Sequence, residues 1–104
     1  AEVPPQVASN VFRIVQEALT NVVRHASTHE TFICLRIQDE ILHLTVKDGG
    51  VGFHTDEEGA RRLGIVGMRE RTELLKGTFS LTSELGYGTQ IGVEIPLVAQ
   101  EGLG

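Results

Sequence analysis

One cysteine, Cys34, stands in 104 residues. That excludes an internal disulfide and fits a reducing compartment. Positive charge is also scarce: 9 Lys and Arg stand against 14 Asp and Glu, for a net charge of -5. A partner bound through its phosphate backbone requires a basic surface, so no nucleic-acid partner is expected. No apolar run approaches the roughly 20 residues that span a bilayer, so this domain is expected to make no direct membrane contact. The opening "AEVPPQ" has neither the basic region nor the apolar stretch of a signal peptide. It has no initiator Met either, and the expectation is a cytoplasmic piece of a longer protein whose other parts are free to be membrane-anchored. Repeats, low-complexity segments and a GxxxxGK[ST] phosphate loop are all missing from the sequence.

What is present is the composition of a folded domain. Apolar residues make up 40% and charged residues 22%. At this length the chain forms one domain over residues 1–104, with 98–104 read as a tail. Pro4 and Pro5 stand where helices often start. From there to Ala26 no Gly or Pro intervenes. Val11, Val15, Ala18 and Val22 recur at helical spacing, and Phe12, Ile14, Leu19 and Val23 widen the stripe. This predicts a helix over roughly 7–26. Ile33, Leu35 and Ile37 alternate, "QDE" turns, and Leu42, Leu44 and Val46 alternate again, which predicts an antiparallel hairpin. The polar run 54–63 reads as a loop. Ile65, Met68, Thr72 and Leu75 resume helical spacing, and Gly77 is the expected C-terminal cap. "TFSLTSE" and "TQIGVEIPL" supply two more strands, the last ending at Pro96. Strands with one apolar face each, packed under helices, give an α+β fold: a two-layer α/β sandwich with a mixed, mostly antiparallel sheet covered by helices on one face.

Four polar features interrupt this pattern. In "KDGGVGF", Asp48 shares the parity of Leu42, Leu44 and Val46, so it should point inward. A carboxylate there needs hydrogen-bond donors. Either it caps its own glycine-rich turn, or it awaits a flat ligand bearing an amine, with Gly50 and Gly52 letting the backbone come close. In "RIVQEALTNVVRHA", Glu17, Asn21 and Arg24 form a row one helical turn apart, with His25 beside it. Glu and Asn offer oxygen ligands of the kind Mg²⁺ takes, and Arg suits phosphate; an ordinary solvated flank has the same composition. In "LGIVGMRER", Gly64 and Gly67 stand at a helix start, where free amides attract anions. In "GYGTQI", Thr89 opens the last strand on its inward face.

In this order and spacing the four resemble the ATP-binding domain of bacterial sensor histidine kinases, in the GHKL (Bergerat-fold) superfamily. "EALTNVVRHA" is similar to the family's N-box, "DGGVGF" and "LGIVGMRER" to its first and second glycine boxes, and "GTQI" to its closing Gly-Thr box. The form "GMRER" with a short lid resembles the subfamily that partners LuxR/NarL-type response regulators. The likeness runs from about Val11 to Leu97.

That resemblance implies ATP and Mg²⁺ as ligands. It implies that Asp48 accepts the adenine amino group, with Thr89 helping, and that Gly50 and Gly52 pass beneath the base. It implies Asn21 as the Mg²⁺ ligand, Glu17 acting at the γ-phosphate, Arg24 on the phosphates and His25 flanking the nucleotide. Gly64, Ile65 and Gly67 would cradle the phosphates, and residues 54–63 would be the lid. The phosphate would pass to a histidine on the kinase's own dimerisation domain, absent from this chain, and on to the response regulator. None of His25, His29, His43 or His54 has the sequence context of that acceptor, so the fragment alone is expected to be inactive. Gly49 stands where relatives often carry a polar residue. "RRL" lacks a glycine many relatives have before Gly64, which points to a stiffer hinge or one at Gly59. Two rival readings are a GHKL-type anti-sigma serine kinase, which "GMRER" and the short lid oppose, and a non-catalytic nucleotide-binding module, which the presence of both Glu17 and Asn21 opposes.

Overall fold

The computed structural model describes residues 3–26, 30–50, 64–84, 86 and 88–103. The first element, α1 (Pro5–Asn21), starts on a proline, where the missing N–H would have had no partner within the helix. Val7 and Ala8 donate to the carbonyl of Pro4 at 3.0 and 3.1 Å. Its buried face is Val7, Val11, Ile14 and Ala18. The helix does not run to Ala26 in one form: Val22–Ala26 is a π-helical turn. A widened turn rotates the later side chains about the helix axis, so Val23 is 83% exposed and not part of the apolar stripe. Phe12 is exposed too.

The hairpin consists of β1 (Thr31–Gln38) and β2 (Ile41–Asp48). Asp39 and Glu40 link them with φ of 54° and 64°. Two consecutive left-handed residues are the mark of a type I′ turn, whose twist matches that of the flanking strands. After α2 (Ile65–Leu74) come β3 (Thr78–Glu84) and β4 (Gly88–Pro96). The strand order is β1-β2-β4-β3, and every pairing is antiparallel.

The registers place the helix-facing side chains in rows across the sheet. Leu35, Leu44, Val93 and Phe79 form one row, and Ile33, Val46, Ile91 and Leu81 the next. The row after that is Thr31, Asp48, Thr89 and Ser83, so one end of the sheet is paved with polar groups. The members of the apolar rows on β2, β3 and β4 join α1 and Ile65, Met68 and Leu75 in one core. Each aliphatic side chain fully buried there contributes about 1.5–3 kcal/mol.

Cover over the sheet is uneven. α2 packs on β3, β4 and α1. On the edge strand β1, Ile33, Leu35 and Ile37 take the inward parity as expected, yet Leu35 remains 56% exposed. Alternation determines which face a residue takes; whether a helix lies over that face is decided elsewhere in the chain.

Two further details differ from expectation. Helix α2 ends in a Schellman motif: Gly77 N donates to Thr72 O and Lys76 N to Glu73 O, both at 2.9 Å. The left-handed residue in it is Lys76, with φ of 60°, not Gly77. Gly77 serves close approach instead, since a Cβ there would lie 2.5 Å from the carbonyl of Glu94. Beyond β4, Val98–Leu103 forms a 3-10 helix. Its Gln100 is 2% exposed, and Nε2 donates to Leu75 O at 2.6 Å and Pro96 O at 3.0 Å. That side chain ties the segment to the end of α2.

Candidate functional site

Asp48 is the last residue of β2, 8% exposed, in the polar end row. Its Oδ1 accepts a hydrogen bond from Gly50 N at 2.8 Å. Among the described residues nothing donates to Oδ2. The turn-capping reading of "KDGG" thus holds for one of the two oxygens. The strand neighbour Thr89 stands directly opposite on β4. Asp48, Thr89, Ser83 and Gly88 line one cleft, and Glu30, Thr31, Phe32, Asp48 and Gly49 another. Gly88 is required where it stands. Its φ is 86°, and a Cβ would lie 2.3 Å from the carbonyl of Asp48.

A third cleft, of about 370 Å³, opens between α1 and the start of α2. Arg13, Glu17, Gly64, Gly67 and Arg71 are among its lining residues. Gly64 is the N-cap of α2 with φ of 70° and gives no side-chain cap, so the first-turn amides are not covered from within the chain by a side chain at that position. A Cβ on Gly64 would lie 2.5 Å from Glu17 Oε1, which is how glycine lets the carboxylate rest on the helix start. A Cβ on Gly67 would meet nothing within 4 Å, so the backbone there is open to the cleft. Ile65 is buried in the core, and only its backbone is available to a ligand.

The expected residues thus fall into two groups. Glu17, Gly64 and Gly67 share the cleft between the helices, while Asp48 and Thr89 share the sheet-end cleft, with the backbone of Gly50 bonded to Asp48. Asn21 ends α1, one turn beyond Glu17. Arg24 is exposed on the π-helical turn, and the backbone of His25 comes next to it. Gly52 and the loop 54–63 lie outside the described residues. Arg13, Arg71 and Ser83 line the clefts, and the sequence pattern did not single them out. The signal for Ser83 was available, since it shares the parity of Phe79 and Leu81, but its partner Thr89 is known only once β3 and β4 are in register.

The family described as histidine kinase-, DNA gyrase B-, and HSP90-like ATPases (HATPase_c) matches residues 6–99. This chain belongs to that family. The HATPase_c domain is 40% identical over 95 residues to the sensor histidine kinase LiaS of Bacillus subtilis, covering 91% of this chain and 26% of LiaS. It is 35% identical over 96 residues to the histidine-protein kinase/phosphatase DegS of the same organism, covering 89% of this chain and 25% of DegS. Among solved structures it resembles the histidine kinase domain of the Erythrobacter litoralis EL346 blue-light activated histidine kinase, with a TM-score of 0.80 and 29% identity. That likeness covers 97% of this chain and 49% of the other. The HATPase_c domain thus spans about a quarter of the curated relatives it matches.

The sheet end supplies a flat polar floor, and the junction of α1 with α2 supplies an edge of amides and oxygens. Among the described residues no three His, Cys, Asp or Glu side chains converge as a metal cage. Glu17 and Asn21 are oxygen donors one turn apart, which fits Mg²⁺, an ion that takes most of its ligands from phosphate and water. Among the described residues no helix is long and apolar enough to cross a membrane.

Proposed function

We propose that this chain is the catalytic ATP-binding domain of a two-component sensor histidine kinase. It delivers the γ-phosphate to a histidine on a separate dimerisation domain of its parent, for relay to a LuxR/NarL-type response regulator. The observation that carries this reading is Asp48: a carboxylate 8% exposed, with one oxygen capping its turn and the other without a donor among the described residues, in a row otherwise made of hydroxyls. An exocyclic amine satisfies that oxygen, and adenine carries one.

The mechanism asks for positioning and charge neutralisation and for little covalent work. Asp48 and Thr89 fix the base, with Gly50 beneath it. Asn21, with Glu17 one turn before it, holds Mg²⁺, which supplies positive charge to the phosphates when bound. Arg24 adds a second positive charge, and His25 flanks the nucleotide. The first-turn amides of α2, at Ile65 and Gly67, donate to phosphate oxygens along the helix dipole. Gly64 allows the chain to enter that helix against Glu17. Glu17 orients the groups meeting at the γ-phosphate. That these relatives are named sensor histidine kinases supports the reaction over transfer to serine.

Melting curves with and without Mg-ATP and Mg-GTP test the reading. Ligand at 100 times its Kd stabilises the folded state by about 2.7 kcal/mol. A selective upward shift with Mg-ATP is expected. No shift, or equal shifts with both nucleotides, would overturn the assignment of an adenine site.

A further inference from the structure

The register puts Asp48, Thr89 and Ser83 side by side on three neighbouring strands, all on the helix-facing surface. Ser83 Oγ lies 2.9 Å from Thr89 Oγ1 and 3.1 Å from the carbonyl of Gly88. A serine hydroxyl has one proton and two lone pairs. In the 2.9 Å contact either hydroxyl could donate, and both contacts are hydrogen bonds at once when the Ser83 proton goes to the Gly88 carbonyl, which can only accept. The contact with Thr89 is then made by the threonine proton, with Ser83 accepting. Thr89 is left with lone pairs facing the cleft it shares with Asp48.

We infer that Ser83 is a positioning residue that sets base specificity: by taking the Thr89 proton it makes Thr89 a hydrogen-bond acceptor beside the acceptor Asp48. This rests on the adenine site proposed above and deepens it. Two acceptors in a row suit the NH₂ of adenine, reached directly or through a water. They oppose the carbonyl that guanine carries at the same position. Without Ser83, the Thr89 hydroxyl is released to donate, and its preference between the two bases is weakened. The chain thus fixes the polarity of a rotatable hydroxyl through a second hydroxyl one strand away. Gly88 contributes its carbonyl to the same relay, and its closeness to the Asp48 backbone keeps the two strand ends in contact.

The test is titration calorimetry of Mg-ATP and Mg-GTP on the parent chain and on Ser83→Ala, Ser83→Thr and Thr89→Val. Ser83→Ala should reduce the preference for ATP over GTP by about fivefold, the worth of one neutral hydrogen bond. Ser83→Thr keeps the hydroxyl and should restore the parent ratio. Thr89→Val should lower the ratio as well, and adding Ser83→Ala to it should change nothing further. An unchanged ratio in Ser83→Ala, or an equal loss of affinity for both nucleotides, would overturn the inference while leaving the adenine site intact. Should Ser83→Ala fail to fold, a parent-like ratio in Thr89→Val overturns it instead. Failure of the parent chain to bind Mg-ATP would sink the adenine site itself, a separate outcome.

Discussion

Two buried polar side chains mark opposite ends of β4, and they are provisioned in nearly the same way. Near Thr89, Asp48 gives one oxygen to Gly50 N and keeps the other without a donor among the described residues. Near Pro96, Gln100 uses its Nε2 on two backbone carbonyls, and its Oε1 is buried without a partner among the described residues. Asp48 opens on clefts, while Gln100 closes a seam between α2, β4 and the last turn. A leftover oxygen is therefore not in itself a site. It becomes one where the surrounding surface gives a ligand access and where the group carries charge, which makes the unmet requirement larger. In the proposed site a ligand completes the polar row at Asp48; the Gln100 end is packed within the chain.

Replacing Asp48 with Asn breaks the comparison on one side only, and it has the largest expected effect. Asn retains an oxygen that can go on accepting from Gly50 N, so the turn and the fold persist. Its amide nitrogen then faces the cleft, a donor opposite the adenine donor. Loss of a hydrogen bond to a charged acceptor costs about 1.5–3 kcal/mol, or roughly 10–100-fold in affinity. Calorimetry should show that loss for Mg-ATP with a melting temperature close to the parent's. Unchanged affinity would remove Asp48 from the site.

Gln100→Ala breaks the other side. It removes two hydrogen bonds to carbonyls at 2.6 and 3.0 Å and empties a buried volume. The expected cost is about 2 kcal/mol, a fall of ~10 °C in Tm for a chain of this size. Affinity for Mg-ATP, measured below the transition, should stay within about twofold, since the two sites are far enough apart for their effects to add. A variant as stable as the parent would mean that the closing 3-10 helix is held by something other than this side chain.

Much of this contrast was legible in the sequence, and the rest was hidden for physical reasons. Parity put Asp48 on the inward face because the strand period is fixed by the backbone. The core faces of β2, β4 and α2 came from the same kind of spacing, as did the glycines at 64 and 88. Three features did not. The exposure of Ile33, Leu35 and Ile37 depends on where the helices lie, which alternation does not encode. The link between Ser83 and Thr89 depends on the register of β3 with β4. The π-helical turn at Val22–Ala26 carries no breaker residue, so apolar spacing ran straight through it.

The smallest expected effect sharpens the comparison at the Gln100 end. Lys76 occupies the left-handed position of the Schellman motif at φ 60°, next to Leu75, whose carbonyl Gln100 caps. A Cβ in that conformation is strained, and glycine is the residue that ordinarily relieves it. Lys76→Gly also gains freedom in the unfolded chain, which offsets part of the relief. The sum is a stabilisation of about 0.5 kcal/mol, or ~3 °C in Tm. The gain should be present in the parent and reduced in Gln100→Ala, because a loosened last turn lets Lys76 leave the strained region without help. Equal gains in the two backgrounds, read by thermal melting, would mean that the Schellman motif holds its geometry independently of Gln100. The seam would then be two separate caps and not one coupled closure.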